Sequence, residues 1–119
     1  MPDNVKKPLL ADMQHVRITK LYDIYGGVLS ERQREAMELW VNEDLSLSEI
    51  GDSLDLTRAG AHDRITKACA IIEDLESKLG LLSKTEKWVQ ELRTIISLAE
   101  ETDGGEKIAG MAQKLLDEM

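Results

Sequence analysis

Apolar residues recur at helical intervals through most of this chain, and no stretch alternates apolar and polar positions as a half-buried strand would. Leu9, Met13, Val16, Leu21 and Ile24 mark a first amphipathic helix that stops before Gly26-Gly27, preceded by a flexible segment over residues 1–8 that Pro2 and Pro8 bracket. Tyr22 and Tyr25, near its end, are read as packing residues. Leu29, Ala36, Met37, Leu39 and Trp40 mark a second helix. Ser30 opens it, with Gln33 three residues on to return the capping hydrogen bond.

Between residues 46 and 79 the pattern tightens. Ser46 or Ser48 can cap a short helix, and Glu49 stands three after Ser46 as a capping box requires. Ile50 and Leu54 share one face of it, and Gly51 sits where a side chain would hold a crossing helix away. Leu56 is placed to pack under the turn, and Thr57 to cap the next helix. Ala61, Ile65, Ala68 and Ile72 follow as a buried stripe that Ile71, Leu75 and Leu79 extend to Gly80. A short helix, a turn and a second, longer helix in this register form a helix-turn-helix.

The opposite face of that second helix carries Arg58, Ala59, His62, Asp63 and Thr66. As a reader of nucleic acid it would turn Arg58, His62 and Thr66 toward a major groove, with Thr57, Arg64 and Lys67 on phosphate. Ala59 and Gly60 offer bases nothing polar, and Asp63 would be repelled by phosphate unless it accepts a hydrogen bond from a cytosine amine or pairs with Arg64 or Lys67. Base reading is weakened accordingly. Helix pairs that only pack are also common among all-helical proteins, so a packing role stands beside the recognition role.

Charge sharpens this picture. The 119 residues carry 23 acidic and 15 basic side chains, a net of -8, which slows approach to any polyanion. The distribution is uneven. Residues 57–69 set Arg58, Arg64 and Lys67 against Asp63, whereas residues 30–54 hold seven carboxylates against Arg32 and Arg34. Either the basic side is a contact face or the whole is a solvated mixed-charge surface.

The runs LSERQREAMELW and DLSLSEIGDSLDLTR resemble region 4 of bacterial sigma factors and the related response-regulator helix-turn-helix domains. More closely, residues 20–79 resemble the YlxM family of small helix-turn-helix proteins, encoded beside the signal recognition particle GTPases. That resemblance implies a regulatory protein of the signal recognition particle pathway, with those GTPases or the particle's RNA as partners. The sigma-like resemblance implies instead a DNA-binding transcriptional regulator.

The remaining residues extend the helical pattern. Ser83 with Glu86 suggests another capping box, opening a helix with Trp88, Leu92, Ile95, Ile96 and Ala99 on one side. After Asp103-Gly104-Gly105, Ile108, Met111, Ala112, Leu115 and Leu116 mark a last helix. Their apolar faces exceed what a small domain needs for itself. Homodimerisation through Trp88, Leu92, Ile95, Ala99, Ile108, Met111 and Leu115 is the expected use, with a single-chain bundle of five or six helices as the alternative.

The expected fold is therefore all-α: a three- to four-helix bundle containing a sigma region 4-like helix-turn-helix over residues 9–80, extended by C-terminal helices over residues 81–119. A core of Leu, Ile, Val, Ala and Met suits it, with two Trp, two Tyr and no Phe in the chain. His15, His62 and Cys69 share no metal-ligand spacing, and neither glycine pair has the setting of a phosphate loop, so no enzyme activity, metal or cofactor is expected. The lone Cys69, among Ala68, Ala70 and Ile71, reads as a small packing residue. No apolar run follows MPDNVKKPLL as in a signal peptide and none is long enough for a bilayer, so membrane insertion is not expected and the cytoplasm is the expected location.

Overall fold

The structure, a computed structural model, describes the backbone from Pro8 to Met119 and the side chains from Gln14 onward. The segment expected to be flexible lies outside the described residues up to residue 7, and the side chains of Leu9 and Met13 lie outside them too. Among the described residues there are six α-helices and no strand: α1 (Pro8–Tyr25), α2 (Glu31–Met37), α3 (Leu47–Leu54), α4 (Arg58–Leu79), α5 (Leu81–Glu100) and α6 (Glu106–Glu118). A 3-10 turn, Gly26–Val28, follows α1 and a π-helical turn, Glu38–Asn42, follows α2. The fold is all-α, as the hydrophobic spacing predicts. None of these helices is long and apolar enough to cross a membrane.

The chain divides into two compact units, one ending at Leu79 and the other spanning Gly80–Met119. In the first, α1, α2 and α3 all pack on α4, which is therefore the spine of the unit. Its core contains Leu21, Met37, Ile50 and Ile72, fully enclosed, with Leu29, Ala36, Ala61, Ile65 and Ala68 around them. In the second, α5 and α6 pack against each other as a hairpin. Gly105 lets that hairpin close, since a Cβ there would overlap the Ala99 carbonyl oxygen.

Four sequence expectations need correction. The buried side of α1 is Ile18, Leu21, Tyr22 and Tyr25, while Val16 and Ile24 are exposed. The spacing i, i+3, i+4, i+7 is the tighter helical row, and including both tyrosines rotates the stripe away from Val16. Downstream of Met37 the helix widens into the π turn, with the Glu43 N–H donating to the Glu38 carbonyl over 3.2 Å. The extra residue brings Val41 into the core and leaves Leu39 and Trp40 half-buried.

On α4 the stripe runs Ala61, Ile65, Ala68, Ile72 and then Glu76, with Ile71 and Leu79 exposed. A carboxylate can occupy that apolar row because the Tyr25 hydroxyl donates to Glu76 Oε1 over 2.7 Å. Finally, α5 opens at Leu81 after Gly80, whose backbone is left-handed at φ 64°, so Ser83 lies within the first turn instead of ahead of it.

Candidate nucleic-acid interface

The helix-turn-helix is assembled by local hydrogen bonds that the sequence specifies. Of the two serines able to cap α3, Ser46 does so. Its Oγ accepts the Glu49 N–H over 3.1 Å, and Glu49 Oε1 accepts the Ser46 N–H over 2.9 Å. That backbone donor holds the Glu49 carboxyl below its usual range. α2 starts the same way, with Ser30 and Gln33 exchanging bonds of 3.2 and 3.0 Å. α3 ends on Asp55 in the left-handed region, φ 58° and ψ 46°, which turns the chain so that the Leu56 N–H reaches back to the Gly51 carbonyl over 2.7 Å.

Gly51 is required by the approach of this turn. A Cβ built on it would stand 2.6 Å from the Leu56 carbonyl oxygen and 3.3 Å from two backbone atoms of Thr57. Thr57 then caps α4, its Oγ1 accepting the Gly60 N–H over 2.9 Å. Gly60 has a role the sequence alone did not reveal, since a Cβ there would press on Thr57 Oγ1 at 3.2 Å. Its position three residues after the cap, where Glu or Gln completes a box, was the available signal.

From this start α4 presents Arg58, His62 and Thr66, all exposed and spaced by four, as one line along its outer face. Asp63 and Lys67 are exposed beside them and form an ion pair at 3.1 Å. That pair answers the question Asp63 raised: its negative charge is partnered by Lys67, not by Arg64. An exposed pair of this kind contributes about 0–1 kcal/mol, little enough for a phosphate to compete for the lysine. Arg64 is half-buried. The side chains of Arg58, His62 and Arg64 make no hydrogen bond or ion pair among the described residues. Thr57 differs from the other expected contacts, because its hydroxyl oxygen already serves the cap and only its proton is available to a phosphate.

The far half of α4 is pinned to α1. Arg17 meets Glu73 through two parallel bonds of 3.0 Å, and Tyr25 meets Glu76 in the interior. The rings of His15 and Trp40 stack edge to face with centroids 5.0 Å apart, joining α1 to the π turn. Tyr22 is also tied to that turn: burial, and then its hydrogen bond to the Glu38 carboxylate, push its hydroxyl up to about 12. Cys69 lines a cavity of about 400 Å³ with Ile18, Trp40, Arg17 and Glu73. Burial, reinforced by the Glu73 charge, pushes its thiol up to about 11, so this cysteine is a poor nucleophile at neutral pH. No group of three or more His, Cys, Asp or Glu side chains among the described residues could hold a metal ion.

The residues expected to pair subunits all lie in the second unit but do not share one environment. Trp88, Ile95, Ile108, Met111 and Leu115 are exposed, whereas Leu92 is half-buried and Ala99 is buried.

Comparison with known proteins fits this architecture. The family model described as "Putative helix-turn-helix protein, YlxM / p13 like" matches residues 13–110. A UPF0122 protein of Desulforamulus reducens is 37% identical over 107 residues, covering 85% of this chain and 92% of that protein. One from Halalkalibacterium halodurans is 32% identical over 100 residues, covering 84% and 92%. Another, from Caldanaerobacter subterraneus, is 38% identical over 78 residues, covering 66% and 67%.

Proposed function

Because the chain belongs to the UPF0122 family of YlxM/p13-like helix-turn-helix proteins, we propose that it is a regulatory protein of the signal recognition particle pathway that contacts nucleic acid through the first half of α4. The observation that carries the nucleic-acid part is the set of cations on α4: Arg58, Arg64 and Lys67 lie within ten residues of a chain whose net charge is -8. Arg58 has no internal partner among the described residues, and Lys67 has only an exposed one. Such groups favour phosphate.

The pathway assignment rests on the family's association with the signal recognition particle GTPases. A net charge of -8 suits a protein partner or a modest RNA contact, as a cytoplasmic ribonucleoprotein offers through its GTPases or its RNA, better than tight binding to DNA. A second reading, a sigma region 4-like DNA-binding regulator, is favoured by one observation: Arg58, His62 and Thr66 form a line that could follow a groove edge. Ala59 and the partnered Asp63 weigh against it, since the first has no polar side-chain group and the second, an ionised carboxylate, has no donor.

The test is fluorescence anisotropy of the full chain with labelled signal recognition particle RNA and with promoter and random duplex DNA, at about 50 and about 200 mM salt. Tighter binding of the RNA, weakened about tenfold or more by Arg58→Ala with Lys67→Ala at unchanged helical circular dichroism, is the expected result. Preference for one DNA sequence over the RNA would replace this reading with the transcriptional one. Undiminished binding by the double variant would remove α4 from the interface.

A further inference from the structure

The hairpin of α5 and α6 carries more apolar surface than its two helices use against each other. On α5, Thr85, Val89, Leu92, Ile96 and Ala99 are at coiled-coil spacing and are less exposed than the residues flanking them; α6 supplies Ala109, Ala112 and Leu116 at matching intervals. Beside this seam runs a second one that neither helix of the hairpin covers. Trp88, Ile95 and Leu98 on α5 are 49%, 43% and 60% exposed, and Ile108, Met111 and Leu115 on α6 are 56%, 67% and 55% exposed. Trp88, Ile95 and Leu115 border one hollow of about 300 Å³ whose surface is almost wholly apolar, so the two rows open on the same side of the hairpin. A two-helix hairpin with such a side is half of a four-helix bundle.

We infer that a second copy of this chain covers that side through a twofold axis, with the two α5 helices antiparallel. This goes beyond the proposed function and does not depend on it.

Two features select a second copy. The six exposed side chains leave roughly 600 Å² of apolar surface per copy, so pairing buries about 1,200 Å² before any polar rim is added, the lower bound for a specific stable interface. The charges along α5 are also unevenly placed, with a net positive first half and an acidic end. Lys84 and Lys87, with Glu86 between them, lie in its first half, while Glu100 closes it and Glu101 and Asp103 follow directly. A parallel pairing would bring the acidic ends together. The antiparallel one lays Trp88 of each copy against Ile95 of the other and puts Lys84 within a turn of Glu101 on the other copy; it sets the axis near Glu91, whose two carboxylates must turn outward from the seam to avoid each other.

Sedimentation equilibrium of the full chain between about 1 and about 100 µM tests this. A dimer that Ile95→Glu weakens more than about tenfold, with helicity retained, is the expected result. Leu98→Glu, at a more exposed position, replaces it if Ile95→Glu loses helicity. Lys84→Glu should weaken the dimer several-fold and Lys84→Glu with Glu101→Lys should restore it. Restoration must come from another copy, because the two positions are about 25 Å apart along α5 and its C-cap. A monomer at the highest concentration, a dimer indifferent to the glutamate variants, or a monomer whose hairpin instead binds an amphipathic helix of another protein overturns the proposal. Failure of the charge swap to restore pairing overturns the antiparallel arrangement.

Discussion

Replacing Gly51 with alanine tests the helix-turn-helix at its tightest point. Gly51 lies inside α3, where alanine would ordinarily be favoured by about 1 kcal/mol. Here the added carbon would stand 2.6 Å from the Leu56 carbonyl oxygen, several tenths of an ångström inside van der Waals contact, with two Thr57 backbone atoms at 3.3 Å. None of these neighbours is a flexible side chain. Relief requires moving the turn, which strains the 2.7 Å bond from the Leu56 N–H to Gly51 and the cap on α4 that follows. Overpacking typically costs about 1–3 kcal/mol and the weakened bond about 1 more, so the net loss after the propensity gain is about 2 kcal/mol. Gly110→Ala supplies the contrast: it is also helical, nothing lies within 4 Å of the new carbon, and it should stabilise α6 by up to about 1 kcal/mol. Urea unfolding, read by Trp40 fluorescence in a Trp88→Phe background for Gly51 and by circular dichroism for Gly110, measures both. A Gly51→Ala protein as stable as its parent would refute the close approach on which this crossing is built.

Two further outcomes follow from titrating groups in the first unit. Tyr22 holds its proton up to about pH 12 when folded but releases it near its ordinary value of 10.0 when unfolded, so stability is intact below pH 10 and falls as pH rises between those values. Tyr22→Phe should flatten that slope in alkaline urea titrations, and an unchanged slope would assign it elsewhere. Cys69, with its thiol raised from 9.0 to about 11, should be alkylated at pH 8 about a hundredfold more slowly in the native protein than in urea. Equal rates would show that the thiol is neither buried nor depressed in acidity.

Much of this fold was legible because its punctuation is local. Ser30 with Gln33, Ser46 with Glu49, and Thr57 each act on a backbone N–H three residues away, so a short window of sequence contains the whole interaction. The close approach at Gly51 was readable for the same reason. What escaped depends on partners distant in sequence. Glu76 looks like a surface residue until Tyr25, fifty-one positions earlier, is placed over it. The π turn after Met37 leaves no residue signature, and Ile71 and Leu79 were assigned to the core because their apolarity was counted without the angular drift of a long helix. At the candidate interface, the exposure of Arg58, His62 and Thr66 followed from the stripe opposite them. That Lys67 and not Arg64 partners Asp63 required coordinates.

The pinning of α4 to α1 gives the first unit the mechanics of a lever with a fixed fulcrum. The anchoring residues Glu73 and Glu76 lie about 20 Å along the rod from the Arg58–His62 tip. A tilt of about 5° at the fulcrum would swing that tip by about 2 Å, enough to break a hydrogen bond made there. The bidentate Arg17–Glu73 contact and the enclosed Tyr25–Glu76 bond, together with the packing of α2 and α3 on α4, therefore resist such a tilt. Loosening either should blur where the tip points while leaving every residue at the tip unchanged.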